Sequence, residues 1–539
     1  MYLFGLFNIG KSAIYASQTA LSVTGNNIAN ANTPGYSRQE AVLDVSTPVS
    51  VSGGYMGTGV RVAGIRRHYD NFIQSQLLSQ NQYYGRSQSL DSAFGQIEQV
   101  FNDSGGAGLS SPLADYFNAW QDVSSNPEGQ TQRTVLLQKA NTLVIAAQRM
   151  ENGITGNLKS INGQIGDTVG RINTIASEIA ALNERISQAE GSSSSGSAND
   201  LRDQRQNLLN ELGTLTEFSS NEETDGSVNV SMGMKSLVYK GNTNLLSVQT
   251  DENGDKMVYL DKTDITSKVY QGQLGGLISA RDTIENHQLK DLRKMIASVI
   301  KEVNLLHRNG YGLDSSTGNN FFGSLDLTIQ DSSSGADMTA SITDLSQLTL
   351  NEYDISFDGS GDYHVLNKDT GSEVATGAYV SGNPISFDGI SVTVSGTVSS
   401  GDTFSVSPLT TAIKNFGVAI SDYRKIAAAT SNSALPGDNS NALNIIKLSQ
   451  QNISNLGSKT YANYYEGIVS EIGSLSSSAA DSLLFDQNML TDISNRREAI
   501  SGVSIDEEAT NLIKFQRAFQ AGAKMIQVTD ELLQSILNL

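Results

Sequence analysis

Apolar positions recur at seven-residue intervals at both ends of the chain. Near the start, Phe7, Ile14, Leu21 and Ile28 repeat, with Leu6, Ala13 and Ala20 one step before them. Towards the other end, Ile505, Leu512, Phe519, Ile526 and Leu533 do the same, flanked by Ala518, Met525 and Leu532. This spacing predicts two helices, each with a narrow apolar stripe along one face. The later helix opens where Ser504 is followed three residues on by Glu507, a capping-box spacing, and no Pro interrupts it up to Leu539. A helix of about 30 residues is roughly 45 Å long and cannot bury so narrow a stripe against itself. Each end calls for a partner, and the two match in kind.

Between the ends the pattern changes several times. Thr33-Pro34-Gly35-Tyr36 places Pro and Gly at the centre of a type II turn, which stops the first helix. Residues 37–66 read as a short β excursion, and helical spacing returns from Asp70 to Phe101. Asn126-Pro127-Glu128 has the make-up of a helix start: a cap, Pro at the first helical position and an acidic first turn. Further on, Leu158, Ile165, Ile172, Ile179 and Ile186 hold one heptad position, while Ile154, Ile161, Ile175 and Leu182 hold the other. The plain reading of that stripe is packing within one molecule. The run from Gly191 to Ser197 is a flexible linker by composition, followed by a short helix through Leu201, Leu208 and Leu212.

Residues 219–266 switch to β spacing (Val228, Val230, Leu237, Tyr239), and 273–309 return to helix with Leu289, Leu292, Ile296, Val299 and Val303. Residues 325–408 alternate apolar with polar, as in Ile390, Val392, Val394 and Phe404, Val406, so an antiparallel β domain is predicted, with helices again over 411–500. The fold class is therefore mainly α with β insertions: paired N- and C-terminal coiled-coil helices, a long helical shaft and small antiparallel β domains. The expected division is a terminal coiled-coil domain (1–32 with 503–539), a mainly helical shaft (33–218, 267–322 and 410–502), a small β segment (219–266) and an outer β domain (325–408). Nothing supports a parallel α/β sheet.

Composition narrows the chemistry. The 539 residues carry 36 Lys and Arg against 56 Asp and Glu, a net charge of −20, which disfavours nucleic acid and anionic membranes as partners. There is no Cys, so disulfides, thiolate metal sites and thiol nucleophiles are excluded together, and only 4 His are present. The apolar start lacks a basic n-region and meets Lys11 before any cleavage site, so no secretory signal is expected, and no run is long enough to cross a membrane.

Gly5-Leu6-Phe7-Asn8-Ile9-Gly10-Lys11-Ser12 matches the P-loop spacing GxxxxGK[ST], but only four residues precede it and Phe7 belongs to the heptad stripe. A helix start or a disordered tip is the better account. Asp358-Gly359-Ser360-Gly361-Asp362 begins like a calcium loop yet lacks the later bidentate acid, which leaves a β-turn. His68, His287, His307 and His364 are isolated and read as surface or helix-face residues, and Trp120 reads as a helical-core anchor with Leu113 and Phe117. No catalytic constellation, cofactor site or metal site emerges.

The segment Leu21-Ser22-Val23-Thr24-Gly25-Asn26-Asn27-Ile28-Ala29-Asn30-Ala31-Asn32-Thr33-Pro34-Gly35-Tyr36-Ser37-Arg38 resembles the N-terminal signature of the bacterial flagellar rod, hook and hook-associated proteins. The run Glu507 to Lys524 resembles the C-terminal partner motif of that family. Tyr36-Ser37-Arg38-Gln39, the segment Asp200-Leu201-Arg202-Asp203-Gln204-Arg205, and Asn304 to Gly310 through Phe321-Phe322 are similar to its hook-associated members. Residues 325–408 carry no matching motif.

The resemblance implies a non-enzymatic structural subunit, without cofactor, that joins the hook to the filament. It implies export of an unfolded chain through the flagellar type III apparatus and a secreted, extracellular location at the hook–filament junction. The partners it implies are further copies in a ring or helical lattice, hook protein, hook-associated protein 3 and an export chaperone; nucleic acid and membrane are not among them. It further implies that the terminal segments are disordered in the monomer and fold on polymerisation. That assigns Phe7, Ile14, Leu21 and Ile28 to an N-terminal assembly seam, and Leu512, Phe515, Phe519, Ile526 and Leu533 to a C-terminal seam that also binds the chaperone. Asn26, Asn27, Ile28, Ala29, Asn30, Thr33, Pro34, Gly35 and Tyr36 form the family motif. Ordering the terminal residues would cost on the order of 65 to 130 kcal/mol of backbone entropy, which apolar stripes on neighbouring copies must offset. The alternatives are another axial protein, such as hook protein or hook-associated protein 3, and a surface adhesin with the 325–408 domain on a helical stalk.

Overall fold

The computed structural model describes residues 2–51, 54–102, 108–191, 198–252, 254–331, 335–359 and 361–538. Helix α1 (Tyr2–Ala29) leads into β1 (Gln39–Val45), β2 (Val49–Val51), β3 (Gly54–Met56) and β4 (Val60–Arg67). Helices α2 (Asn71–Phe101), α3 (Ser110–Ser125), α4 (Gln130–Gly191) and α5 (Asn199–Leu215) follow. Next come β5 (Ser219–Glu222), β6 (Val228–Met232), β7 (Lys235–Tyr239), β8 (Asn242–Thr243), β9 (Leu246–Thr250), β10 (Lys256–Leu260) and β11 (Thr263–Asp264). Helix α6 (Gly272–Thr283) passes through a π-helical turn at Ile284–Leu289 into α7 (Lys290–Arg308). Then come β12 (Thr328–Asp331), β13 (Ala336–Ile342), β14 (Tyr353–Phe357), β15 (Asp362–Asn367), β16 (Glu373–Ala378), β17 (Pro384–Phe387), β18 (Ile390–Gly396) and β19 (Thr403–Ser407). Helices α8 (Ser440–Lys447), α9 (Tyr461–Ser501) and α10 (Ile505–Leu537) complete the order. The chain is mainly helical, with long terminal helices and small antiparallel sheets, as the periodicity predicts.

Two compact units are present. The first comprises Met1–Ser89, Gln164–Ile278 and Ala480–Leu539. In it the later part of α4 buries Ile165, Ile172, Ile175, Ile179, Leu182 and Ile186. Two asparagines on α4 bind the edges of the small sheets. Asn173 exchanges hydrogen bonds with both backbone groups of Leu246 (2.8 and 2.9 Å), and the Asn183 amide donates to the carbonyls of Val228 and Lys240 (2.8 Å each). The heptad stripe is thus covered within the molecule. Ile73 and Leu77 of α2 pack with Ile493 and Leu490 of α9, beside Asp486, which accepts from Gln80 (2.9 Å) and Ser87 (2.5 Å).

The second unit comprises Leu90–Gly163 and Ser279–Ala479. Leu113, Phe117 and Trp120 are buried on α3, and the Trp120 and Tyr116 rings lie 5.5 and 5.9 Å from that of Phe321. The sheet β12-β19-β14-β15-β16 and the sheet β13-β18-β17 are both antiparallel, and their alternating inward residues are buried. Tyr353 of the first meets Phe387 of the second at 4.9 Å between ring centres, so the two sheets share one core. Asp358–Asp362 is the turn joining β14 to β15, closed by the Asp358 N–H on the Asp362 carbonyl; Ser360 lies outside the described residues.

Two expectations need correction, and one lies outside the described residues. Asn126-Pro127-Glu128 does not open a helix: the Asn126 N–H closes on the Asp122 carbonyl and ends α3, and α4 begins only at Gln130. Cap residues look alike in composition whichever helix they serve. Residues 411–439 hold no α-helix, only short 3-10 turns at Tyr423–Lys425 and Asn432–Ala434, because Asp422 and Asp438 bind nearby backbone N–H groups (Arg424, Thr430, Ser440) and so favour turns over a long helix. His307, expected on a surface or a helix face, lies on a buried face of α7 and is 1% exposed. The linker at 192–197 lies outside the described residues.

His307 Nδ1 lies 2.7 Å from the Asn319 carbonyl, and Nε2 accepts the Ala427 N–H at 2.9 Å. The ring is therefore neutral, with its proton on Nδ1, and burial pushes its pKa down to about 4. Between the unfolded value near 6.5 and that value, the unfolded chain binds a proton that the folded one refuses. Stability from this site is complete above pH 6.5 and falls as pH drops towards 4, by about 2 kcal/mol at pH 5. Urea unfolding at pH 7.5 and pH 5 checks this: His307→Gln should show a pH dependence smaller by that amount.

Candidate assembly interface

Helices α1 and α10 run antiparallel, and they pack tightly where Gly10 faces Gly522. A Cβ on Gly10 would stand 2.9 Å from Ile526 Cγ1 and 3.2 Å from the Gly522 carbonyl; one on Gly522 would stand 3.0 Å from Ile14 Cγ1 and 3.2 Å from the Gly10 carbonyl. Gly10, Ser17 and Thr24 are buried at seven-residue spacing on α1, as are Glu508, Gly522 and Thr529 on α10, with Phe515 half-buried between them. The inner line is therefore made of small residues on α1 and of Gly522 and Thr529 with Glu508 and Phe515 on α10. The expected apolar seam flanks it: Ile14, Leu21, Ile28, Leu512, Phe515, Ile526 and Leu533 are half-buried, while Phe7 (38%) and Phe519 (36%) stay exposed. The stripe of large residues and the line of helix contact are offset around each helix.

The P-loop-like segment lies inside α1. Its backbone N–H groups serve the helix, Ser12 Oγ donates to the Ile9 carbonyl (2.9 Å), and the exposed Lys11 ammonium sits 5.7 Å from the Tyr15 ring centre. No loop is left to wrap a phosphate. Lys11→Ala should change unfolding stability by less than about 1 kcal/mol, the scale of an exposed cation–π contact.

At the lower end of the pair, the family motif folds into a polar knot. Gly35 (φ +78°) completes the turn that follows α1, and any side chain there would run into Asn207. The turn brings Tyr36 back over the helix, where its hydroxyl donates to Asn27 Oδ1 (2.9 Å) and accepts from Asn26 (3.3 Å). Asn27, 1% exposed, uses all of its hydrogen-bonding capacity. Its Oδ1 also accepts the Gln39 N–H (3.0 Å), and its Nδ2 donates to the Gln39 carbonyl (2.8 Å) and to Glu508 Oε2 (3.0 Å). Asn30 donates to the Asn26 carbonyl (3.0 Å) and accepts from Thr33 (3.2 Å). Ile28 is half-buried; Ala29 and Pro34 are exposed.

Charges close the knot. Glu508, 2% exposed, accepts from Arg38 Nε at 2.9 Å, and the same guanidinium reaches Glu507 at 2.7 Å. Glu507 therefore supplies only half of the expected capping box: the Ser504 hydroxyl accepts the Glu507 N–H (3.4 Å), while the Glu507 carboxylate turns to Arg38. Asp203 accepts from the Ser37 N–H (2.9 Å), the Ser37 hydroxyl (3.0 Å) and Arg67 (2.5 Å), and Gln39 donates to Asp200 (2.7 Å). Burial, with Asp200, Asp203 and Glu508 nearby, pushes the Tyr36 phenol up to about 12, so it remains a donor. The segments 36–39, 200–205 and 507–508 meet here. Arg38, Asp203 and Glu508 lay in the quoted motifs, but no local spacing marks their pairing, since Asn27 and Glu508 are 481 positions apart.

Among the described residues no cluster of His, Asp or Glu could hold a metal, and no helix is long and apolar enough to cross a membrane. Comparison with known proteins adds independent information. Profiles match for the flagellar basal body rod protein family (7–36), the helical domain of flagellar hook-associated protein FlgK (94–322), the D2-like domain of flagellar hook-associated protein 1 (328–408) and the C-terminal region of the rod proteins FlgEFG (497–539). The chain is 30% identical to flagellar hook-associated protein 1 of Salmonella typhimurium over 554 residues, 99% of each chain. It is 29% identical to that of Escherichia coli K12 over 99% of each, and 27% identical to that of Bacillus subtilis over 98% of this chain and 96% of the relative. The flagellar hook junction protein FlgK of Burkholderia pseudomallei shares the fold, with a TM-score of 0.68 at 20% identity over 79% of this chain and all of the other. With near-complete coverage at 30% identity and profiles matching over 7–36, 94–322, 328–408 and 497–539, the chain belongs to the flagellar hook-associated protein 1 family.

Proposed function

We propose that this chain is a structural subunit that joins the flagellar hook to the filament and takes its place through the α1–α10 pair. One observation carries the reading. More than half of the exposed large apolar side chains among the described residues lie on α1, α10 and the strands β1, β2 and β3, including Phe4, Leu6, Phe7, Tyr15, Ile505, Ile513, Val528, Leu532 and Ile536. Apolar surface concentrated in this way marks an interaction site, and matching stripes on neighbouring copies would cover it.

The family is structural and not enzymatic. On this reading the neighbours are further copies, hook protein and hook-associated protein 3, and the product is secreted to the hook–filament junction. Before assembly, Leu512, Phe515, Phe519, Ile526 and Leu533 would be held by an export chaperone, which keeps an apolar stripe out of water during export.

Gly522→Val tests the reading in cells whose own copy of the gene is replaced. Valine forces the two helices apart at this tight contact, so the expected phenotype is an exported chain, hooks without attached filaments and lost motility. Motility equal to that of the unsubstituted chain would overturn the assembly role of the pair.

A further inference from the structure

We propose that the distal half of the β1–β4 ribbon is a docking surface for the terminal helix pair of a second copy of this chain. This rests on the assembly reading above and names the contact that it lacks. In the ribbon, Leu43 pairs with Val62 and Val45 with Val60, after a register shift next to Val42. Directly opposed residues share a face, so these four side chains form one apolar face, while Asp44 and Arg61 form an ion pair (2.8 Å) on the other. The face is covered on one side only. Val60 donates its N–H to Ser12 Oγ of α1 (3.3 Å), and Gly59 and Met56 lie against Ser12 and Gly5. The β4 side thus rests on α1, and Val60 and Val62 are half-buried. The β1 side overhangs, leaving Val45 77% exposed with Leu43 exposed beside it, and the separate β2–β3 hairpin that links β1 to β4 leaves Tyr55 (81%) and Val49 exposed as well.

An uncovered two-stranded ribbon of this composition is marginal in water and presents a bare apolar edge. Three features point to a second copy as its cover. The overhang and the exposed helix stripe lie on the same chain, joined where Met56 and Val60 rest on Gly5 and Ser12 of α1, so one chain carries both halves of the contact. Ribbon on the next copy's helices is a head-to-tail contact, the kind that generates rings and helical polymers. Copies of charge −20 repel, and this patch is where they can meet, because its only charges, Asp44 and Arg61, neutralise each other.

The absence of Cys makes the test direct. Two full-length forms, Val45→Cys and Ile513→Cys, are co-expressed in cells lacking the unsubstituted chain, and isolated flagella are oxidised and read by immunoblot. A disulfide-linked dimer is expected, and none with Asp44→Cys in place of Val45→Cys. A parallel mixture, Phe7→Cys with Val528→Cys, reports helix-to-helix contact between copies. If that mixture gives dimer while Val45→Cys gives none with Ile513→Cys, Phe7→Cys or Tyr15→Cys, the ribbon proposal falls and the assembly reading stands. If neither gives dimer, both fall. Equal dimer from Asp44→Cys, or a Val45→Cys product containing a different axial subunit, also overturns the proposal.

Discussion

Asn27→Asp is expected to destabilise the terminal helix pair by about 3–5 kcal/mol, the cost of leaving a buried charge without its partner. The substitution changes one atom. Asn27 Nδ2 donates to the Gln39 carbonyl and to the buried Glu508 carboxylate, and an oxygen in its place faces both as an acceptor. Two hydrogen bonds become two repulsions, while Arg38, already divided between Glu507 and Glu508, has no further charge to give. Amide hydrogen exchange on the full-length chain reads the effect locally: protection over residues 20–29 and 505–512 should drop, and that of 290–308 should not. Unchanged protection at the ends would mean that the knot does not hold the pair. Asn30→Asp is the control, since Asn30 touches no acidic side chain.

Asn304→Ala should cost about 4 kcal/mol, because leaving a buried donor unpaired costs about 1–3 kcal/mol and two are orphaned at once. Asn304 lies on α7, 2% exposed. Its Oδ1 accepts the N–H groups of Phe321 and Phe322 (2.9 Å each), and its Nδ2 donates to the Phe322 carbonyl (3.0 Å). One side chain thereby aims two aromatic rings at the core around Tyr116 and Trp120. At roughly 2–4 °C per kcal/mol for a unit of this size, the melting temperature should fall by roughly 10 °C. A shift below about 2 °C, the scale of ordinary surface substitutions, would show that the Phe321–Phe322 loop is held by ring packing alone.

What the sequence made legible follows from range. Heptad spacing along α1, α4 and α10 is a local signal, and those helices are where the periodicity put them, as are the alternating strands from Thr328 to Ser407. The same spacing was less informative about faces: large residues marked Phe7, Ile14, Leu21 and Ile28, whereas the line of tight contact runs through Gly10, Ser17 and Thr24, because small residues let backbones approach. Asn126 was misread because a cap signals an end without saying which helix it belongs to. The knot could not be read at all as geometry. Arg38, Asp203 and Glu508 are ordinary charged residues in their own segments, and only the folded chain brings them together.

The Asn27–Glu508 bond also sets a clock. Its two halves are separated by 481 positions, and a ribosome extends the chain at roughly 5–20 residues per second, so α1 waits on the order of half a minute to a minute and a half for its partner to exist. For that interval α1 has only the β1–β4 ribbon against it, and a chain broken off anywhere before Glu508 never acquires the cover of α10. The knot is thus a receipt for a finished chain: only a molecule translated past residue 508 can close it.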